Sequence, residues 1–530
     1  MTPAPPRRRA RGLLLPIVSG ALLGATFQPW GLSLLSLVAL VPLLVALHRV
    51  ARAPDAPLHA GFRAGYAAGL AYFLVLLHWI PLLESSNLPH PIVMIPLFLL
   101  LVLYLALYPG LFGLLLVAAA RRTRFPFTVL APALWLAAEW LRGVGELTFP
   151  WGYVGYALVA RPTILQCAAW VGIHGLSLVV LLANVAVWAA VVGRGRARFA
   201  PAAAAIAGLL ALHAAGAARL GAHPPLRDAA VRVAVVQPNI VQTIKWDWEH
   251  KDRSLDALAR LSHRIERGDV SLSVWPETAV PAYLRDERAY LTLVERIVER
   301  TGAPTLVGFP NTEVIDGRRE YYNAALLLNP DGSEGGEYRK IRLVPFGEAL
   351  PFQAIFPALR RVDLGEADFT PGRDYTLFAT PAGRFGVSIC FEAVYPAMTR
   401  RLVQDGADFL VNITNDAWFG TSSAPWQHAR MALVRAVEDG VSLVRSANTG
   451  ISLVADPFGR ITAETALFEE AILVEPLDVR RVPTFYLEHG DWCLHAALAL
   501  AALAVVASAL PVPLLARRAS PPLGTVTPVA

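Results

Sequence analysis

The sequence predicts a polytopic α-helical membrane bundle of about eight spans, carrying one extracytoplasmic α/β domain between its last two spans. Three observations lead there. Hydrophobic residues fill 55% of the 530 positions and charged residues only 17%, a balance too apolar for an ordinary soluble chain. The apolar residues gather into long runs over the first 220 positions and again near residue 500, the pattern of membrane helices. Between them, from about 225 to 488, short β-branched runs alternate with amphipathic helical patterns, which argues an α/β domain.

Arg7, Arg8, Arg9 and Arg11 precede the first apolar run. Because further apolar runs follow at once, that run reads as a retained span rather than a cleaved signal peptide. The eight expected spans are 13–28, 32–47, 60–83, 91–120, 126–141, 163–192, 199–220 and 494–515. Several fall short of the ~20 residues a span usually needs and two exceed it, so their ends are soft.

Arginines near span ends favour the cytoplasmic side. Arg49 and Arg52 follow the second run, Arg121, Arg122 and Arg124 the fourth, and Arg194, Arg196 and Arg198 the sixth, whereas 29–31 and 83–90 hold no Lys or Arg. The exit of the fifth run has one arginine at each edge, Arg142 and Arg161. Splitting 91–120 in two would break this alternation; one long span bent near Pro109 fits better. The parity puts both termini in the cytoplasm, Arg517 and Arg518 marking the C-terminal side, and the large polar region outside it. The expected organisation is a membrane domain over 1–220, a soluble domain over 225–488, a last span at 494–515 and a cytoplasmic tail at 516–530. The net charge of +6 is spread in small clusters between apolar runs, which makes it a topology signal and not a nucleic-acid stripe.

Within the soluble region, strands are expected at 231–236, 272–275, 305–308, 324–328, 386–389, 409–413, 442–444 and 451–454, with helices at 254–267, 287–301, 397–405 and 426–439. The apolar run Phe-Gly-Val-Ser-Ile-Cys-Phe-Glu brings Cys390 to the end of a strand, and Val-Trp-Pro-Glu does the same for Glu277. Lys340 sits in a basic segment that leads through Pro-Phe-Gly to Glu348. Taken singly, Cys390 reads as a core cysteine and each charge as a solvated one. Cys167 and Cys493 lie in or beside apolar runs, so the three cysteines form no disulfide framework and Cys390 is expected as a free thiol. No HExxH, Cys-x-x-Cys or Walker loop occurs; neither metal nor nucleotide cofactor is expected, and an acyl group would have to arrive as an ester.

The order Glu277, Lys340, Cys390, with gaps of 63 (340 minus 277) and 50 (390 minus 340), resembles the nitrilase superfamily. The flanking words Trp275-Pro-Glu-Thr, Leu343-Val-Pro-Phe-Gly-Glu, Ile389-Cys-Phe-Glu, Asn412-Ile-Thr-Asn-Asp-Ala-Trp-Phe-Gly420 and Pro425-Trp-Gln-His428, together with the membrane runs, resemble the bacterial apolipoprotein N-acyltransferase family over roughly 13–515. The resemblance implies a nitrilase-like αββα sandwich for the soluble domain. It implies Cys390 as nucleophile, Glu277 as general base and then acid, and Lys340 as oxyanion stabiliser. Glu348, Glu392, Trp246, Asn412 and Trp418 are expected as supporting or substrate-binding residues: Glu348 to hold Lys340, Glu392 to orient a neighbour or the incoming amine, and Trp246, Trp418, Phe419 and Trp426 to form a lipid-facing mouth. Phe391 departs from the tyrosine common after this cysteine. The implied reaction moves an acyl chain from the sn-1 position of a phospholipid, through a cysteine thioester, to the α-amino group of diacylglyceryl apolipoproteins. It would run in the bacterial inner membrane with the domain on the periplasmic side, without cofactor, in a monomer. Two rival readings are a membrane-tethered nitrilase-type amidase and a non-enzymatic lipoprotein-binding scaffold. Arg63 and Glu139 fall inside expected spans, where a charge is costly and faces a cavity or a partner.

Overall fold

The computed structural model describes residues 12–27, 29–83, 91–226, 230–241, 251–353, 355–356 and 369–510. Each expected apolar run holds a helix: Leu14–Gly24, Val41–Arg52, His59–Leu76, Pro91–Arg122, Phe127–Arg142, Ala168–Val192, Ala200–Ala222 and Trp492–Ala509. Among the described residues six stretches are long and apolar enough to cross a membrane: Ser33–Arg52, His59–Leu82, Met94–Arg122, Ala168–Val192, Arg196–Ala222 and Trp492–Ala509. The other two helices, Leu14–Gly24 with 11 residues and Phe127–Arg142 with 16, are shorter.

Pro91–Arg122 is one helix with Pro96 and Pro109 inside it. It packs on His59–Leu76 at a backbone distance that only a missing side chain permits: a Cβ on Gly65 would lie 1.9 Å from the Pro109 carbonyl oxygen. Small residues serve this purpose in membrane bundles, where lipid offers no hydrophobic drive between helices. Arg63 is exposed on its helix, whereas Glu139 is buried.

The soluble region is built from two six-stranded sheets. The first has the order β12-β1-β2-β3-β4-β5, with β1 Arg232–Gln237, β2 Leu272–Val274, β3 Thr305–Ile315, β4 Arg318–Leu328, β5 Glu334–Arg339 and β12 Ala471–Pro476. The second has the order β11-β10-β9-β8-β7-β6, with β6 Leu377–Thr380, β7 Gly383–Ile389, β8 Phe409–Thr414, β9 Ser442–Ala447, β10 Leu453–Ala455 and β11 Ile461–Glu464. In each sheet three central strands run parallel, β1-β2-β3 and β7-β8-β9, and antiparallel neighbours flank them.

The sheets meet face to face through Val233, Val235, Val274 and Leu306 on one side and Val387, Ile389, Val411 and Val444 on the other, all fully buried. Helices Lys251–Ser262 and Arg288–Thr301 cover the outer face of the first sheet. Helices Pro396–Gln404 and Ala424–Asp439 cover the second, and their core residues Leu402, Leu433 and Val437 belong to the same apolar cluster as Leu134, Ile173 and Val180 of the membrane helices. The expected four-layer αββα order is present, with one helical layer pressed between its sheet and the membrane bundle. Helix 251–262 starts and stops earlier than the sequence reading of 254–267, and β5, β6, β11 and β12 were not anticipated.

Candidate functional site

Parallel sheets present their ligand sites where strands end. Glu277 follows β2 and Cys390 follows β7, while Lys340 leaves β5. Each arrives on strained or tightly bonded backbone. Cys390 opens a short 3-10 turn, Cys390–Val394, with φ of +54°, and Thr278 beside Glu277 has φ of +47°. Non-glycine residues in that region persist only where surrounding contacts hold them, as at functional sites.

The three side chains converge. The Lys340 ammonium is 1% exposed and donates to Glu348 Oε1 at 2.8 Å and to Glu277 Oε1 at 3.4 Å. Asn323 Nδ2 donates to the same two carboxylates, at 2.7 Å to Glu277 and 3.0 Å to Glu348. The Asn415 N–H donates to Glu277 Oε2 at 2.8 Å, and the Val344 N–H to Glu348 Oε2 at 2.9 Å. Glu348 therefore pairs directly with Lys340.

Burial pulls the Lys340 ammonium down, but Glu348, Glu277 and the Cys390 sulfur outweigh it and the pKa rises, so the side chain stays charged. Burial pushes the Cys390 thiol well up, Glu277 adds to that, and Lys340 pulls against both. The thiol rests protonated and needs a base before it can attack.

Glu392 is turned into the protein interior. Fully buried, it accepts from the Tyr338 hydroxyl, from the N–H groups of Ile341 and Arg342 at 2.7 and 2.9 Å, and from the Ile389 N–H at 2.7 Å. It staples the backbone after Lys340 to the backbone before Cys390. Burial raises its pKa to about 7 although the Ile389 and Arg342 N–H groups, Lys340 and the Tyr338 hydroxyl act the other way.

Asn412, fully buried at the centre of β8, donates to the carbonyls of Ser388 at 3.0 Å and Cys390 at 3.4 Å. Trp418 is half-buried in the turn Asp416–Phe419. Trp246 lies outside the described residues.

Residues that sequence reasoning passed over complete the setting. His428 places Nε2 3.1 Å from the Cys390 carbonyl and Nδ1 3.0 Å from Asp416. Arg445 donates to Asp416 Oδ2 at 2.8 Å and to Asn412 Oδ1. A charge inside the buried β run Ser-Leu-Val-Arg-Ser-Ala was the signal that marked Arg445.

From the membrane side, the loop after helix 127–142 reaches the same point. Trp151 stacks on Phe391, centroids 6.0 Å apart, and its indole N–H donates to Gln427 at 2.7 Å. Trp79 meets Phe419 edge-on at 5.0 Å. Arg142 donates to the carbonyls of Phe149, Trp151 and Gly152, and Glu139 accepts from the Val154 N–H at 2.8 Å. The buried Glu139 thus clamps a loop. An aromatic wall supplied by both regions stands beside the thiol, an environment that suits an alkyl chain.

Two family models match the chain: "Carbon-nitrogen hydrolase" over residues 232–485 and "Apolipoprotein N-acyltransferase N-terminal domain" over 19–186. An apolipoprotein N-acyltransferase of Geobacter metallireducens is 37% identical over 93% of this chain and 95% of its own length. One of Chlorobaculum tepidum is 32% identical over 95% and 97%. Among solved structures, a Saccharomyces cerevisiae member of the nitrilase superfamily is similar over 48% of this chain and 92% of its own, at 22% identity and a TM-score of 0.37.

Proposed function

We infer the reaction from one premise: this chain belongs to the apolipoprotein N-acyltransferase family. It is a membrane acyltransferase of the nitrilase superfamily that N-acylates lipoproteins. The observation that supports the finer reading is the buried Lys340-Glu277 pair acting on the Cys390 thiol, with the next residue, Phe391, stacked on Trp151 from the membrane region.

In the proposed cycle Glu277 takes the Cys390 proton, and the thiolate attacks the carbonyl of a phospholipid acyl ester. A C–S bond forms, the carbonyl π electrons move onto oxygen, and the Lys340 ammonium stabilises the resulting oxyanion. Collapse breaks the ester C–O bond; Glu277 returns the proton to the leaving oxygen, and a lysophospholipid departs. The α-amine of a diacylglyceryl-cysteine then attacks the thioester, a C–N bond forms, the C–S bond breaks, and the amine proton passes through Glu277 back to sulfur. The two halves make a ping-pong cycle. Glu348, Glu392 and Asn412 position these groups, and Trp418 belongs to the lipid-facing mouth.

We propose that the eight helices all cross the inner membrane, the two short ones included, with the region 225–488 on the periplasmic side and both termini cytoplasmic. The arginines after the second, fourth and sixth runs support that parity.

Intact-protein mass spectrometry tests the cycle. Enzyme incubated with phospholipid should carry a fatty-acyl adduct on Cys390, stable in water and discharged by a diacylglyceryl-cysteine peptide. An adduct that decays in water alone makes the protein a hydrolase of the amidase type; no adduct with accessible lipid supports a binding scaffold. Lys340→Met should lower the rate of adduct formation by about 10² to 10³.

A further inference from the structure

The nucleophile's carbonyl is held more closely than a turn requires. Cys390 occupies a left-handed backbone conformation, φ of +54°, which a non-glycine residue leaves unless something fixes it. Two buried side chains reach its carbonyl oxygen, His428 Nε2 at 3.1 Å and Asn412 Nδ2 at 3.4 Å. A carbonyl only accepts, so Nε2 carries a hydrogen whatever the state of Nδ1. The ring is not free to turn. Nδ1 lies 3.0 Å from Asp416 Oδ1 and 3.2 Å from Arg445, and Asp416 Oδ1 also accepts from the Thr414 hydroxyl at 2.9 Å. His428, Asn412, Arg445 and Asp416 are at most 1% exposed, and none of them reaches the Lys340 ammonium or the carboxylates beside it by a hydrogen bond among the described residues.

We propose that His428 is a positioning residue for the acyl-transfer chemistry. It donates through Nε2 to the Cys390 carbonyl, and that bond holds the left-handed backbone in the one orientation that aims Sγ between Glu277 and Lys340. Asp416 and Arg445 serve the ring rather than the substrate. The donation also polarises the Cys390–Phe391 peptide, because hydrogen bonds in a low-dielectric interior strengthen their neighbours. Losing it lets the peptide rotate, and a displacement of about 1 Å at a reacting atom costs roughly 10²-fold in rate. The inference rests on Cys390 being the nucleophile.

Position-matched amides separate this role from mere packing. A glutamine at 428 can place an N–H where Nε2 stands, whereas an asparagine reaches only the Nδ1 position. With full-length enzyme in phospholipid micelles, single-turnover acylation followed by intact mass should fall about 10²-fold in His428→Asn, with the KM for phospholipid unchanged. His428→Gln should recover most of that loss. Alkylation of Cys390 by iodoacetamide should rank the variants in the same order, and circular dichroism with thermal midpoints confirms that both variants are folded.

Equal acylation and alkylation rates in the two variants would overturn the assignment, as would a loss confined to KM. Cys390→Ala is the control for the premise. If the acyl adduct persists in that variant, the nucleophile is wrong and the proposal goes with it. If the adduct is absent there but His428→Asn matches wild type, only the role of His428 is lost.

Discussion

Helix Ala424–Asp439 has two ends with opposite electrostatics. At its start, Asp416 is buried beside His428 and yet stays low, at about 2: burial pushes it up, but Arg445 and His428 outweigh that, with Thr414 adding a hydrogen bond. At its end, burial raises Asp439 to about 7 and Glu438 to about 8; Arg435, shared between the two carboxylates with Asp491 close by, lowers both but does not outweigh it. Arg435 Nε and Nη1 find no acceptor among the described residues. Burial alone therefore does not decide what a charge does; the number of partners does. The saturated end abuts Cys390, the proposed nucleophile, whose geometry the proposed chemistry needs fixed. The under-served end abuts the break in membrane helix 168–192, where Gly172, φ of +64° and ψ of −172°, leaves the Ile173 N–H free to donate to Glu438 at 2.6 Å.

The sharpest way to break the contrast is to unpair the saturated end. Asp416→Asn leaves Arg445 buried with only neutral acceptors, and removing one partner of a buried pair costs about 3–5 kcal/mol. Thermal unfolding in detergent should show a drop of that order; a loss no larger than that of an exposed pair would mean that the network is not a unit. The next largest effect lies at the other end. In Gly172→Ala the new Cβ would stand 2.5 Å from the Tyr486 ring, on a backbone region that only glycine adopts freely. We expect a stability loss of about 1–3 kcal/mol, with the rate of Cys390 acylation per folded molecule retained. A parallel loss of acylation would show instead that the helix transmits strain from the membrane break to the nucleophile.

The same distinction between saturated and under-served positions explains what the sequence revealed. All eight strands that hydropathy identified are inner strands of the two sheets, and the four it missed, β5, β6, β11 and β12, are the four edges. Inner strands are covered on both faces and read as continuous apolar runs such as Phe-Leu-Val-Asn-Ile-Thr; an edge such as Glu-Gly-Gly-Glu-Tyr-Arg carries no such pattern. Glu277, Lys340 and Cys390 were legible because each terminates a strand in a distinctive word. For Glu392 the sequence left two tasks open, orienting a neighbour or the incoming amine, since it cannot say that a carboxylate two residues past a cysteine turns back onto three backbone N–H groups. His428 and Asp416 stood inside quoted motifs, but their link to the Cys390 carbonyl is a tertiary fact, made by two strand ends and one helix start meeting in space.

The smallest expected effect is also the one whose sign is least intuitive, because a substitution that removes a charge should stabilise the protein. Asp439 titrates near 3.8 when unfolded and near 7 when folded. Between those values the folded state binds more protons than the unfolded one, so its stability falls as pH rises. Glu438 extends the same slope from 4.5 to about 8. Asp416 runs the other way: its contribution is complete above 3.8 and is lost as pH falls towards 2. Wild-type thermal midpoints should therefore decline between pH 5 and 8, while Asp439→Asn should make that decline shallower, because it removes the Asp439 share and also the charge that helps to raise Glu438. At pH 8 the variant should gain about 1–2 kcal/mol, the scale of relieving one buried unsatisfied group. An unchanged slope would mean that Asp439 is neutralised by a partner at every pH, and the two ends of the helix would then differ in position but not in kind.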